Sequence, residues 1–574
     1  MSGNTQGMVQ NAAEPHPVAW LSYPNLCLLD QGVFGQVSER LEEVSFMYYD
    51  FRRGQSCLSH PVKSCWRAKR LPPAARPWVR LSWAGISSAV MFLAFSFSAS
   101  PVLATPPSAG GGSSSDDTPP PASGSGPQSG TEKAKPQNFF SGLTQRNALL
   151  GDLGGVRRKL SKYGVTLNIL ETSEVLGNAA GGRQKGADYD GLTQVDLQMD
   201  TQRAFRHYGG TLNVSALQIH GTNLSADNLL TLQTASGIEA DRATRLWEVW
   251  YDQKYFEENN LDVKVGQQSL DQEFMVSQNA LLFVNTMFGW AMVPSADLPG
   301  GGPAYPLSAL GIRAAYRPTT ATNFLAGVYT GSPTPNNSED PQKANPNGVS
   351  FPTHNGELFI AEAQFIYPAL GSLVYAGKSA PLPRIIKFGG WYDTEKFADQ
   401  RYDISGLSLA SPASSGIARS HRGDYSLYGT LDQMVYHSED DYDRSLNLFA
   451  RVMAAPQGDR NLVDYSANLG LVLTDPLKSR DDDSTGIGLG YAKVGSGASG
   501  LDGDTAAYTS SYNPKRTSEL FVEGTYSYEV FPWLRVQPDV QYVFNPGGGI
   551  ANPNDPSRRV GNELVLGLRA NIQL

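Results

Sequence analysis

The sequence predicts an all-β fold: a single antiparallel transmembrane β-barrel of about sixteen strands, with a short N-terminal helix and one loop folded inward to constrict it. Three observations carry that prediction. The first is alternation in NELVLGLRANIQL, 562–574. Leu564, Leu566, Leu568, Ala570, Ile572 and Leu574 share one face, while Glu563, Gly567, Arg569, Asn571 and Gln573 share the other, with Val565 an apolar intruder. Taken alone, such a strand suits a soluble sandwich as well as a barrel whose apolar face meets lipid. The second is repetition. Similar strands fall at 164–175, 191–202, 210–220, 244–255, 261–267, 309–316, 321–330 and 356–367, then at 384–393, 424–437, 445–455, 464–473, 486–495, 517–528, 534–544 and 562–574. The third is the joints between them. Long ones (176–190, 221–243, 268–308, 331–355, 394–423, 496–516, 545–561) alternate with short ones (203–209, 256–260, 317–320, 438–444, 529–533). A membrane barrel has short turns on its periplasmic side and long loops outside, whereas a sandwich has no reason to alternate. The joints 368–383 and 474–485 are longer than that rule asks, and 456–463 is shorter.

Composition agrees. Charged residues make up 18% of the 574 positions, below the usual quarter or so. The net charge of −9 leaves no basic footprint for nucleic acid. A mean hydropathy of −0.31 argues against a helical membrane protein but not against a barrel, where only alternate residues face lipid.

The N-terminal quarter reads as processing and spacing. Residues 1–75 form an extension without periodicity that carries all three cysteines, Cys27, Cys57 and Cys65, at spacings that match no zinc pattern; a misassigned start or an unusually long leader accounts for it. Lys69, Arg70, Arg76 and Arg80 precede the apolar run Leu81–Leu103, and small residues close it, so 76–104 is expected to be a signal peptide cleaved after Ala104. A membrane anchor is the competing reading, disfavoured by the Ser and Gly that interrupt the run. The mature chain would then be free of cysteine, as an oxidising compartment allows. The Pro/Gly/Ser-rich stretch 105–137 cannot bury a core and reads as a disordered linker. In 138–163, Leu149, Leu153, Val156 and Leu160 recur at helical spacing, with Asp152 to cap or charge the start and Gly164 to end the helix. From 164 to 574 the sequence reads as barrel, with no further helix.

Face assignments follow from period two. Val195, Leu197 and Met199 oppose Asp196, Gln198 and Asp200; Leu261, Val263 and Val265 oppose Asp262 and Lys264. Leu534, Val536, Pro538, Val540, Tyr542 and Phe544 oppose Arg535, Gln537, Asp539 and Gln541. Pro538 is costly there because it cannot donate to the ladder. In 244–255, Leu246, Glu248, Trp250, Asp252 and Lys254 are read as inward, and Trp247, Val249 and Tyr251 as facing lipid. Trp391, Tyr392, Phe531 and Trp533, at strand ends, suit an interfacial girdle.

Several segments in order resemble the carbohydrate-selective porins of the OprB family: GDLGGVRRKLSKYGV at 151–165, RLWEVWYDQ at 245–253, FVNTMFG at 283–289 and PLSALGIR at 306–313, followed by GGWYDT at 389–394, LFARV at 448–452, LRVQPDVQYVFNPGG at 534–548 and NELVLGLRANIQL at 562–574. The resemblance runs from about Leu143 to Leu574 and implies a sixteen-stranded barrel in the outer membrane of a Gram-negative bacterium. Its partners would be outer-membrane lipid and small carbohydrates, monosaccharides such as glucose and polyols among them, moved by passive diffusion without a cofactor. Two departures stand out. Leu153 occupies a position where the family more often has an aromatic residue. Leu574 stands where outer-membrane barrels usually end in Phe, which bears on recognition by the barrel assembly machinery. The strand pattern is the same for a monomer and a homo-oligomer.

A sugar pore needs a narrow waist, polar groups for hydroxyls and flat apolar surfaces for C–H faces, and must bind weakly enough to release. The waist is assigned to 268–308, which carries Phe274, Met275, Phe283, Met287, Phe288, Trp290 and Met292 and would not project into water. A subunit interface or the outer rim is the alternative place for it. Candidate pore-lining residues are Glu248, Trp250, Asp252, Lys264, Phe288, Trp290, Arg313, Arg535, Asp539 and Arg569. Carboxylates accept sugar hydroxyls, Trp250 offers a stacking face, and opposed arginines and carboxylates order water across the lumen. The same groups also serve to tie the wall together by ion pairs. Arg157 and Arg158 would line the exit if the N-terminal helix lies beneath the barrel.

Catalytic signals are poor. No Gly-x-Ser-x-Gly elbow occurs. Gly495, Gly497 and Gly500 match Gly-x-Gly-x-x-Gly after a strand but are read as a flexible loop tip. His207, His220, His354, His421 and His437 lack metal-ligand spacing, and Asp440–Asp441 and Asp481–Asp483 read as solvated turns with little claim to a divalent cation. A barrel hydrolase would need a Ser–His pair on neighbouring strands, and a secreted glycan-binding sandwich would need no closure; these are the two competing readings.

Overall fold

The computed structural model describes residues 142–335, 340–369, 381–438, 444–478 and 480–574. The N-terminal extension, signal, linker, cysteines and Asp440–Asp441 lie outside the described residues.

Alternation builds the wall. In chain order the strands are β1 Val165–Gly182, β2 Gly186–Asp200, β3 Gly210–Gly221, β4 Ala243–Tyr255, β5 Leu261–Gln268 and β6 Ala309–Thr319. Then come β7 Thr322–Thr330, β8 Glu357–Tyr367, β9 Arg384–Asp403, β10 Ala418–His437, β11 Ser445–Ala454 and β12 Val463–Thr474. The chain finishes with β13 Ser484–Val494, β14 Ser518–Phe531, β15 Leu534–Phe544, a small hairpin of β16 Ala551–Asn552 and β17 Asp555–Arg559, and β18 Gly561–Gln573. Every barrel strand runs antiparallel to its neighbours, and β18 closes on β1 through pairs such as Glu174 with Arg569 and Leu170 with Gln573. Closure leaves no unpaired sheet edge, the condition for a sheet to cross hydrocarbon. It also removes the sandwich reading. Among the described residues no helix is long and apolar enough to cross a membrane.

One face of each strand is apolar and exposed: Leu566 and Leu568 on β18, Val540 and Tyr542 on β15, Ile312 on β6, Ile487 on β13. The alternate face is buried and therefore points to the lumen: Glu563, Gln537, Asp539, Gln541 and Arg313. Pro538 leaves its mark on the ladder, since between Thr525–Asp539 and Tyr528–Val536 two β14–β15 pairs are missing beside it while the register is kept.

Four expectations need correction. Strands β1 and β2 run on to a connection at 183–185 rather than stopping before a long loop at 176–190, and β9 and β10 likewise shrink 394–423 to 404–417. The alternation there is masked by small and polar residues. Helices do occur beyond Gly164: α2 Thr201–Phe205, α3 Thr286–Gly289, α4 Met292–Asp297, α5 Pro341–Ala344 and α6 Ser496–Thr509, which follow α1 Val156–Lys162. The glycine triplet 495–500 therefore opens a helix, but between antiparallel strands, so the βαβ unit of a dinucleotide site is absent. Trp391 faces inward and is buried, as is Trp247, while Tyr392 faces outward as expected. Phe205, Phe256 and Tyr367, exposed beside the short turns, hold the girdle positions instead. Finally, Asp483 is not solvated: it is buried and accepts from Arg480, Tyr526 and the Glu529 backbone.

Within 138–163 the described chain is α-helical only over α1, with short 3-10 turns at Leu143–Gln145 and Leu153–Gly155. Leu153, Gly154 and Gly155 take positive φ values of 50°, 67° and 95°, which break the repeat before Val156, and Gly164 at 73° ends it. Asp152 reaches forward to the Arg158 backbone N–H at 2.9 Å. Arg157 does not line an exit; it donates to the carbonyls of Gly151, Leu167 and Leu574.

Candidate sugar-conducting lumen

The segment between β5 and β6, residues 269–308, is tied to inward-facing side chains around much of the wall. Glu362 on β8 accepts from the Met275 N–H at 2.8 Å, Lys387 on β9 donates to the Val276 carbonyl, and Asp432 on β10 accepts from Ser277 and Asn279. Arg451 on β11, fully buried, donates to the carbonyls of Met275, Met287 and Gly289. Glu523 on β14 accepts from the Val284 and Asn285 N–H groups at 2.6 and 3.1 Å, and Gln537 and Gln541 on β15 add bonds to Leu282 and Asn285. Backbone groups that would otherwise be orphaned inside the barrel are satisfied this way.

The apolar side of the segment packs on β11, β13 and β14. Phe288 lies 5.6 Å from Phe449 and 5.3 Å from Phe521, both edge-on, and 4.4 Å from Phe283. Phe288 is thus packed into the wall and does not front open space. Three glycines at period two on β13 make room. A Cβ on Gly486 would stand 2.8 Å from the Phe283 ring, one on Gly488 2.6 Å from Phe288, and one on Gly490 2.1 Å from Phe521. Glycine in a strand here marks close approach by another chain segment.

The opposite part of the wall is polar. On β4–β6 the structure brings together Glu248, Trp250, Asp252, Lys264 and Arg313. Lys264 sits 4.3 Å over the Trp250 ring and pairs with Glu273 from the inward segment. Arg313 pairs with Asp262 and Glu273, with Asp252 at 3.7 Å. Glu248 accepts from the Ser269 N–H at 2.8 Å. The remaining candidates are scattered. Arg569 bonds Glu174 at 2.7 Å, Asp539 accepts from Gln541 at 2.9 Å, and Arg535 pairs with Glu529 near the short turns. Trp290 lines a cavity next to the long loops, its indole N–H held by the Gly301 carbonyl at 2.9 Å.

Sequence reading missed a second polar group on β1, β2 and β4. The Arg245 guanidinium is 2% exposed and none of its three nitrogens has a hydrogen-bond partner; neither do Glu174 Oε1, Asp190 Oδ2 and Trp247 Nε1. Glu174 and Asp190 stand opposite each other across β1 and β2. A bulge explains the omission. Between the pairs Val214–Val249 and Ala216–Leu246 one residue of β3 faces two of β4, so the inward set switches from Arg245 and Trp247 to Glu248, Trp250 and Asp252. Strict alternation carried through position 247 puts Leu246 inward and Trp247 in lipid, the reverse of the structure. Two carboxyls of the inward segment, Asp271 and the buried Asp297, are pushed above the usual carboxylate range, first by loss of solvation and, for Asp297, also by the neighbouring Asp424 charge.

A closed sixteen-stranded antiparallel barrel with an apolar exterior, a polar interior and a long segment bonded to its inner wall is the architecture of an outer-membrane porin. Residues 184–574, more than half of the chain, match the model of the carbohydrate-selective porin, OprB family. The chain belongs to that family, and it is an outer-membrane channel for carbohydrates. Porin B of Pseudomonas aeruginosa is 24% identical over 444 residues, 73% of this chain and 90% of that protein. The putative porin QuiX of Acinetobacter baylyi is 22% identical over 443 residues, 73% and 92% of the two chains. The high-pH structure of Pseudomonas putida OprB superposes with a TM-score of 0.65 at 24% identity, covering 76% of this chain and all of that one, and so shares the fold.

Proposed function

We propose that the channel passes small neutral carbohydrates, monosaccharides such as glucose first among them, by diffusion along the β1–β6 side of the lumen. The inward segment 269–308 narrows the barrel from the β8–β15 side. The observation that carries this reading is the set of buried, unpartnered polar atoms of Glu174, Asp190, Arg245 and Trp247. Such atoms are costly unless water or solute hydroxyls complete them, and a hydroxylated solute replaces that water group for group. Glu248, Asp252, Lys264 and Arg313 continue the polar path below. Each contact is a hydrogen bond exchanged with water, so binding stays weak and release remains fast, as conduction requires. Chemistry at the wall is not required, and no cofactor has a place in this scheme. Export is expected to remove residues up to Ala104, so sequencing of the mature protein should begin at Thr105.

Single-channel recording in planar bilayers tests the proposal. Salt conductance should fall on addition of millimolar glucose. Channels that conduct salt but ignore sugars up to molar concentration would sink it.

A further inference from the structure

On the long-loop side of the barrel, the β3–β4 connection 222–242, the segment 269–308 and the start of α5 enclose a cavity of about 140 Å³. That is many times the roughly 10–15 Å³ one water needs. Two of its polar atoms, Thr231 Oγ1 and Glu239 Oε2, are buried and have no partner. Thr231 itself is 5% exposed. Glu239 is held in place by its other oxygen, which accepts from the Ser225 N–H at 3.2 Å. Burial pushes this carboxyl well above its ordinary range, which favours the protonated form that donates as well as accepts.

Two aromatic rings form another part of the lining. Their polar ends are already used: Trp290 donates to the Gly301 carbonyl and Tyr305 donates to the Ile238 carbonyl, each at 2.9 Å. The rings are fixed by these bonds and present carbon surface. Lys343, a cation beside the cavity, is already paired with Asp340 and Asp241. Unspent hydroxyl and carboxyl groups beside fixed aromatic carbon match a solute that is polar at its edge and apolar on its faces, and that carries no charge.

We propose that this cavity is a capture site for one neutral hexose, adjoining the wall-lined passage of β1–β6 where Tyr305 packs edge-on against Trp247. Glu239 and Thr231 take ring hydroxyls, and Trp290 and Tyr305 cover C–H faces. The proposal rests on the sugar-channel reading above. The site loads solute at the mouth, where it raises the local concentration ahead of the passage.

The test uses the full chain in detergent and in bilayers. Binding of D-glucose is followed by saturation-transfer NMR, and channel integrity by single-channel conductance in salt. Thr231→Val, nearly isosteric, and Glu239→Gln should each weaken glucose binding roughly three- to ten-fold, the loss of one hydrogen bond, with salt conductance at the native value. Native-like glucose binding in both variants overturns the capture site and leaves the sugar channel standing. Native channels that conduct but neither bind nor are blocked by glucose overturn the sugar reading, and the capture site with it.

Discussion

Arg245 is the residue whose chemistry is least explained by packing. A fully buried guanidinium without a partner destabilises a protein, and apolar replacement of such a group is often neutral or stabilising. Arg245→Met should therefore leave the barrel as stable as before, or raise its stability by about 1–2 kcal/mol, while weakening glucose block roughly ten-fold. A variant that loses stability without losing sugar block would show that the arginine is structural. Inward and outward residues were legible on β2, β5, β6, β15 and β18 because lipid and lumen impose opposite chemistry on alternate positions. They were not legible around Trp247, because a bulge changes phase without any change in composition. Trp391 failed for a related reason: a tryptophan fits a membrane interface or a packed lumen equally well, and only its neighbours decide.

At the scale of the element, the inward segment and its seat on β13 form one unit. The segment's aromatic and methionine content told that it would avoid water and fold inward, but not which part of the wall it would pack on. Gly486, Gly488 and Gly490 carry that second piece of information, in plain sight at period two. Their meaning is visible only once Phe283 and Phe288 are seen above them. Gly488→Val places branched carbon in the space of the Phe288 ring, and overpacking of this kind typically costs about 1–3 kcal/mol. The barrel should still assemble, since its ladder is untouched, but the segment should detach from β13. Single-channel conductance then rises and becomes noisy. A Gly488→Val channel with native conductance would show that the segment does not restrict flow. The missed helix α6 follows from the same limit of local reading. Its glycines and serines have low helix propensity, and contacts with β9, such as Arg401 with Asp504 at 2.7 Å, help to hold it.

For the whole molecule, the strand count and order were legible because each strand carries its own signal, while closure is collective. The family pattern supplied it at the level of sequence, and pairing of β1 with β18 shows it directly. Fifteen of the barrel's neighbouring pairs are joined by chain, and the pair β1–β18 is not. At that one seam the N-terminal segment makes bonds: the Leu149 N–H to the Gln573 carbonyl at 2.7 Å and Arg157 to the carbonyls of Leu167 and Leu574, while Trp533 in the β14–β15 turn donates to the Leu143 carbonyl at 2.8 Å. Arg157→Ala removes charge-assisted bonds from both sides of the seam and should lower barrel stability by about 1–3 kcal/mol. Heat-dependent mobility on a detergent gel reads this as a lower temperature of conversion to the unfolded band. An unchanged temperature would show that the seam needs no strap.

That strap has a consequence for how the ring comes into being. The bonds of Arg157 to Gly151 and Leu167 are local in sequence, but its bond to Leu574 can form only when the first and last strands have met, so that bond is silent throughout growth of the sheet and switches on at closure. It acts as a latch on the finished object, opposing reopening without hastening assembly, and it puts the hold at the one joint where a hoop of strands would otherwise begin to unzip.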